Sequence, residues 1–345
     1  MSALAFDLPV ALEASGPPEA RGVPRDGVKL LVARRSDGSI SHASFRDLES
    51  LLTPGDLVVV NVSATIPAAV LGRRTDGSPV RVHFATRAPR LDDRYRVIEL
   101  RSADGSRPAR ARAGEIIVLA AGQAQLELVA PYLSGPRLMI ARFAGPESVQ
   151  AYLNRHGQPI RYGYVAQGWP LQAYQNVYAT TPGSAEMPSA GRPFTFELMS
   201  ALIARGVLIA PITLHTGVSS PEHHEPPYPE HYDVPQSTAR LLSATRGWGG
   251  RVIAVGTTVV RALETVARAD GTIAAGAGWT GLVIDPGRAL RAVDGLITGW
   301  HEPAASHLHL LAAVAGPELL ARSYREALEH GYLWHEFGDS HLILP

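Results

Sequence analysis

The sequence predicts an α/β protein: a main domain of strands and helices, with a mixed or barrel-like sheet, into which a small all-β barrel is inserted. Two observations predict this. Both ends of the chain alternate β-branched runs with helix-period stretches, and the segment between them carries successive strand-like runs with no helical period. The boundaries read as 1–66 with 147–345 for the discontinuous α/β domain, and 67–146 for the inserted barrel.

In chain order, VKLLVAR (28–34) and LVVVN (57–61) are short apolar runs between Gly, Pro or Asp turns, as buried strands require. VRVHFA, YRVIEL, EIIVLA, AQLELVA and RLMIARF follow, separated by short polar or Gly/Pro links, the spacing of a small barrel or sandwich. Helices return with ESVQAYLNRHG. A second helix, FTFELMSALIARG, repeats Phe196, Leu198, Met199, Leu202 and Ile203 at helical spacing and leads into the strand VLIAPITLH. In RVIAVGTTVVRALETVARADG a strand turns at Gly256 into a helix that starts with Thr257 and Thr258. The helix in LLARSYREALEHG precedes a closing strand, HLILP. Five prolines in residues 219–235 predict a long loop or lid there.

Composition narrows the function. The 46% hydrophobic content suits a packed core, and 32 basic against 32 acidic residues leave no net charge, so any nucleic-acid contact has to come from a local patch. The absence of cysteine removes disulfides, thiolate metal sites and cysteine nucleophiles. The first residues lack the basic and long apolar stretches of a signal peptide, and no apolar run approaches a membrane span, so a cytoplasmic location without membrane contact is expected.

No GxGxxG follows a strand and no GxxxxGK[ST] occurs, which argues against Rossmann and P-loop nucleotide sites, and the lack of GxSxG argues against a hydrolase elbow. At the AVGTTVVRALE turn, a glycine and an open helix N-terminus suit a carboxylate or phosphate, although Thr257 or Thr258 serves equally well as a cap. Of thirteen histidines many fall late in the chain, but no HExxH is present and a helix over AASHLHLLAAVAG points His307 and His309 apart, so no metal is expected.

The ordered segments FDLP (6–9), LTPGDLVVVN (52–61) with IPA, YQNVYA (174–179), PSAG with FT (188–195), ITLHTG (212–217), EHYDVP (230–235), IAVGTTVVRALE (253–264), DPG with VDGLIT, HEP (301–303) and FGDSHLI together resemble the S-adenosylmethionine:tRNA ribosyltransferase-isomerase family of queuosine biosynthesis. The resemblance runs from residue 6 to the C-terminus. It implies the same architecture, S-adenosylmethionine as substrate with no prosthetic group, tRNA as partner and a monomer. It also implies metal-free chemistry: a base removes a ribose C5′ proton acidified by the sulfonium, adenine and methionine leave, and the ribosyl unit ends on an amine as an epoxycyclopentane. By motif position, His215 and His301 are candidate acid–base or orienting groups and Asp339 a third catalytic candidate. Arg261 is a candidate partner of the methionine carboxylate, with Tyr174, Gln175, Gly256, Thr257 and Thr258 as binding positions.

The chain departs from the family's pattern at named places. Asn61–Ala69 lacks an acid and two arginines, Pro193 replaces a histidine, and His307, His309 and His341 replace apolar residues near the expected pocket. Two acceptors are therefore weighed: an aminomethyl-deazaguanine in tRNA, giving epoxyqueuosine, or a small molecule used by a paralogue that transfers, cleaves or cyclises S-adenosylmethionine in specialised metabolism.

Overall fold

The computed structural model describes residues 4, 6–120, 123–133, 135, 137–165, 167–219, 228–303 and 305–345. Its strands are β1 Lys29–Arg34, β2 Ile40–Ser44, β3 Leu57–Asn61, β4 Ser63–Thr65, β5 Ala69–Arg74, β6 Pro79–Arg87, β7 Tyr95–Ser102, β8 Ile116–Leu119, β9 Gln125–Pro131, β10 Leu138–Ala144, β11 Thr181–Ser184, β12 Leu208–Leu214, β13 Glu230–Val234, β14 Val252–Val255, β15 Gly276–Thr280, β16 Gly295–Gly299 and β17 Ser340–Leu344. The helices are α1 Leu48–Leu51, α2 Val149–His156, α3 Phe196–Ala204, α4 Gln236–Gly247, α5 Thr257–Val266, α6 His307–Ala315 and α7 Pro317–Glu329.

Nine strands form one mixed sheet in the order β15-β13-β12-β3-β14-β16-β17-β1-β2, with β12, β3, β14 and β16 mutually parallel. Alternation along these strands sends side chains to two cores. Leu31, Leu57, Val59, Ile212 and Ala254 pack with residues of α4, α5, α6 and α7, whereas Leu30, Val58, Val60, Ile253 and Leu342 pack with α1 and α3. Helices on both faces explain why LVVV in β3 is apolar without interruption.

The middle segment is a closed barrel, β10-β7-β6-β5-β8-β9, which decides between the barrel and the sandwich. Its sixth strand, β5, was not among the runs read from the sequence; Gly72 and two arginines dilute its apolar pattern. Helix α2, capped by Ser148 whose Oγ accepts from Ala151 N at 3.2 Å, packs Val149, Tyr152 and Leu153 against the barrel core.

The Pro-rich segment needs a correction. Residues 220–227 lie outside the described residues, but Glu230–Val234 is strand β13, paired with β12 and β15, not loop. Pro229 and Pro235 bracket this strand and none lies within it, so every ladder N–H survives. Among the described residues, no helix is long and apolar enough to cross a membrane.

Candidate active site

Strands β3, β12, β14 and β16 run in parallel, so the chain leaves all four at the same edge of the sheet, the place where open α/β sheets hold ligands. Thr65 beyond β3, Thr216–Ser219 beyond β12, Gly256–Thr258 beyond β14 and Trp300–Pro303 beyond β16 line a cleft of about 340 Å³ there. Its other walls are the segment after α2 (Tyr162, Tyr164, Tyr174), the segment after β11 (Glu186–Ala190) and His335 with Glu336.

The floor is the strand-to-helix turn. Gly256 has φ +94° and ψ 153°, a conformation that L side chains resist, and its N–H donates to Ile297 O at 2.8 Å. A Cβ there would meet Ala190 and the Thr258 hydroxyl at 3.4 Å. Gly256→Ala is therefore expected to cost about 1–3 kcal/mol of stability and to displace the first turn of α5. Thermal unfolding and the KM for substrate check it, and an unchanged midpoint would contradict the strain argument. No side chain caps α5 and Val259 N donates to Gly256 O at 3.1 Å, so the N–H groups of Thr257 and Thr258 remain for a ligand at the cleft. One turn on, Arg261 pairs with Glu230 and donates to Leu282 O at 3.1 Å and Thr280 O at 3.2 Å. Glu230 Oε1 also accepts from Gly217 N at 2.8 Å, which ties the β12 loop to the same ion pair.

Four carboxylates and one arginine line the cleft: Glu186, Glu230, Glu302 and Glu336, with Arg261. Glu186 accepts from the Tyr162 hydroxyl, from Ser219 N at 2.7 Å and from Ser219 Oγ at 2.5 Å. Burial outweighs these donors and pushes its pKa up to about 7. Glu336 accepts from the Tyr164 hydroxyl at 2.5 Å and is likewise raised by burial. The rings of Tyr162, Tyr164 and His335 form a row, with centroids 6.1 Å and then 3.8 Å apart, and His335 holds the left-handed backbone conformation (φ 72°). Opposite them, His301 Nε2 meets Thr298 Oγ1 at 3.1 Å and its ring stacks on His307 at 4.7 Å. Burial holds the pKa of His301 well below the usual histidine range and, with the neighbouring histidines, keeps it neutral at pH 7.

A family model described as "Queuosine biosynthesis protein" matches residues 1–343. The chain belongs to this family. It is 40% identical over 350 residues to the S-adenosylmethionine:tRNA ribosyltransferase-isomerase of Symbiobacterium thermophilum, with 98% of both chains covered, and 38% identical over 352 residues to that of Heliobacterium modesticaldum, with the same coverage. Among solved structures it resembles the S-adenosylmethionine tRNA ribosyltransferase of Thermotoga maritima, with 30% identity, a TM-score of 0.56, and coverage of 99% of this chain and 100% of that one.

The structure places the family-motif candidates in two groups. Tyr174, Gly256, Thr257, Thr258, Arg261 and His301 line the cleft; His215, Gln175 and Asp339 do not. His215 Nδ1 bonds Ser63 Oγ at 2.8 Å, its ring stacks on His231 at 5.9 Å, and burial brings its pKa down to about 4. Gln175 is engaged by the backbone of Thr65, accepting from its N–H at 3.0 Å and donating to its carbonyl at 2.7 Å. Asp339 accepts from Lys29 N and Leu333 N, both at 2.7 Å, and so clamps β1 to the turn before β17. Asp339→Ala removes the acceptor of both part-buried N–H groups, at about 1 kcal/mol each. The expected result is a lower unfolding midpoint with the turnover of the folded fraction retained; a selective loss of turnover would return Asp339 to the chemistry.

The departures from the family pattern fall mostly in scaffold. Asn61 bonds the backbone of Leu214, Ser63 bonds Ser184 and His215, and Pro193 stands outside the cleft, leaving Thr65 as the contribution of that altered strand segment. His341 is a second correction: it is fully buried, stacked at 4.8 Å behind Trp300, and does not line the cleft, whereas His307 does. His309 lies outside the cleft as well. The His42, Glu326 and His330 group, spaced to hold a metal ion, is on the β2–α7 surface and none of its members lines the cleft. Sequence reasoning missed Glu186, Glu336, Tyr162 and Tyr164. For Glu186 and Glu336 the signal was proximity to the PSAG and FGDS motifs, whereas Tyr162 and Tyr164 stand beside neither.

Proposed function

We infer that this protein is an S-adenosylmethionine-dependent ribosyltransferase-isomerase whose acceptor is the aminomethyl-deazaguanine of tRNA, the reaction that forms epoxyqueuosine. Family membership over the whole chain carries the reading. The cleft supports it. S-adenosylmethionine has a cationic sulfonium and a carboxylate, and the wall offers carboxylates for the first, with Arg261 and the open first turn of α5 for the second. Glu186 is the base for the C5′ proton: its three donors favour the carboxylate, while burial keeps it basic. Neutral His301 orients the ribose or the departing adenine. His215, Gln175 and Asp339 hold the scaffold behind the site.

Charge distribution supports an RNA acceptor. The whole chain is neutral, yet residues 67–146 contain 13 arginines against seven acidic residues, and Arg73, Arg90, Arg94, Arg107, Arg110 and Arg112 are exposed. This excess of exposed positive charge within one segment suits binding to phosphates. The test incubates the protein and S-adenosylmethionine with and without tRNA carrying the aminomethyl-deazaguanine and scores adenine and methionine. Release only with that tRNA supports this reading; equal release without it supports a small-molecule acceptor or simple cleavage.

A further inference from the structure

The core of the inserted barrel contains ionisable side chains where apolar ones would suffice. His83 and Glu99 are fully buried, and Arg101 and Arg137 are only 4% and 6% exposed. Glu99 Oε1 accepts from Arg101 Nη1 at 3.0 Å and from Arg137 Nη1 at 3.3 Å, and His83 Nδ1 lies 3.5 Å from Glu99 Oε2. Burying such charges costs several kcal/mol per ion unless their partners are well placed, so an apolar barrel of similar volume would be at least as stable. Stability alone does not account for the cluster.

Both arginines reach out of the barrel towards the cleft. Arg137 Nη1 also donates to Ser219 O at 3.3 Å, and Ser219 donates its N–H and its hydroxyl to Glu186 at 2.7 and 2.5 Å. The Arg101 guanidinium lies 5.8 Å from the ring centre of Tyr162, whose hydroxyl donates to the same carboxylate. The contacts close a ring: Glu99, Arg137, Ser219, Glu186, Tyr162, Arg101 and back to Glu99. Glu186 itself stands in the irregular segment after β11, and Ser219 is an exposed loop residue, so neither is placed by a helix or strand of its own.

We propose that the Glu99–Arg101–Arg137 cluster of the barrel is the positioning device for Glu186, holding from behind the two residues, Ser219 and Tyr162, that donate to its carboxylate. The proposal rests on the reading of Glu186 as the base. It gives the inserted barrel a part in the chemistry, since the catalytic carboxylate is aimed by groups from another unit of the fold.

The test compares Arg137→Met, Arg137→Lys and Ser219→Ala in the full-length protein, each alone and with Glu186→Gln, by adenine release across pH. Arg137→Met is expected to lower kcat about 10- to 100-fold with the KM for S-adenosylmethionine within about twofold. It also shifts the acid limb of the kcat profile upwards, because a loosened Ser219 supports the ionised carboxylate less. Arg137→Lys restores part of the rate. The titratable groups facing Glu186 are Tyr162, Tyr164, Tyr228 and Glu336, and these substitutions change none of them. In the Glu186→Gln background, Arg137→Met and Ser219→Ala have no further effect on kcat. Should Arg137→Met not fold, Ser219→Ala reads the same chain of contacts at its far end. A folded Arg137→Met or Ser219→Ala protein with wild-type kcat and acid limb overturns the proposal, as does full additivity with Glu186→Gln. Wild-type kcat in Glu186→Gln overturns the reading of Glu186 as well; a large effect there with none in the other two overturns this inference alone.

Discussion

Replacing Glu186 by Gln is expected to lower kcat for adenine release by about 10²–10⁴-fold, the range for removing a general base, while the KM for S-adenosylmethionine changes little. The wild-type enzyme should lose activity as pH falls through about 7, where Glu186 takes up its proton, and the variant should lose that limb. Stability moves the opposite way. The folded pKa lies above the ordinary 4.5, so the folded state binds the proton more tightly, and stability falls as pH rises from about 4.5 through about 7. Glu186→Gln should therefore unfold at a higher temperature than wild type at pH 8 and at a similar one at pH 4, a trade of stability for function. A variant that keeps wild-type kcat, or a wild-type profile flat between pH 6 and 8, would remove Glu186 from the role of base.

Arg261→Met is the second large effect. The side chains of Arg261 and Glu230 are only 9% and 12% exposed, so the substitution strands a buried carboxylate as well as two carbonyl acceptors. Loss of one partner of a buried pair costs about 3–5 kcal/mol. Denaturant unfolding measures it. The double variant Arg261→Met with Glu230→Gln should recover much of that stability, since no charge is then left unpaired, but it should not recover the KM for S-adenosylmethionine. An unchanged unfolding free energy would contradict the ion-pair argument, and an unchanged KM the assignment of Arg261 to the substrate carboxylate.

Local signals made much of the fold legible. The uninterrupted LVVV of β3 and the Gly256 turn were plain in the residues, because burial on both faces and a positive φ each leave a mark in a few adjacent positions. Strand β13 was hidden because prolines at its two ends mimic a loop, and β5 because glycine and arginines broke its pattern. In the site, Gly256, Thr257, Thr258, Arg261, Tyr174 and His301 were reached through ordered motifs. Those motifs also contain His215, Gln175 and Asp339, which do not line the cleft and whose partners Ser63, Thr65 and Lys29 are more than 100 residues away in sequence. No spacing rule distinguishes a polar residue aimed at a ligand from one aimed at a distant backbone.

By itself, the sequence determined the family, the α/β frame with its inserted barrel, and the strand-to-helix turn at Gly256, all of which follow from short-range patterns or from the order of motifs. Only the tertiary structure decided which polar groups share the cleft. Glu186 gains its donors from Tyr162 and Ser219, and those are backed by Arg101 and Arg137 of the barrel, through contacts 24 to 82 residues apart in sequence. The physical reason is that a carboxylate's basicity depends on what surrounds it after folding, and here loops from separate strands and a second core supply those surroundings.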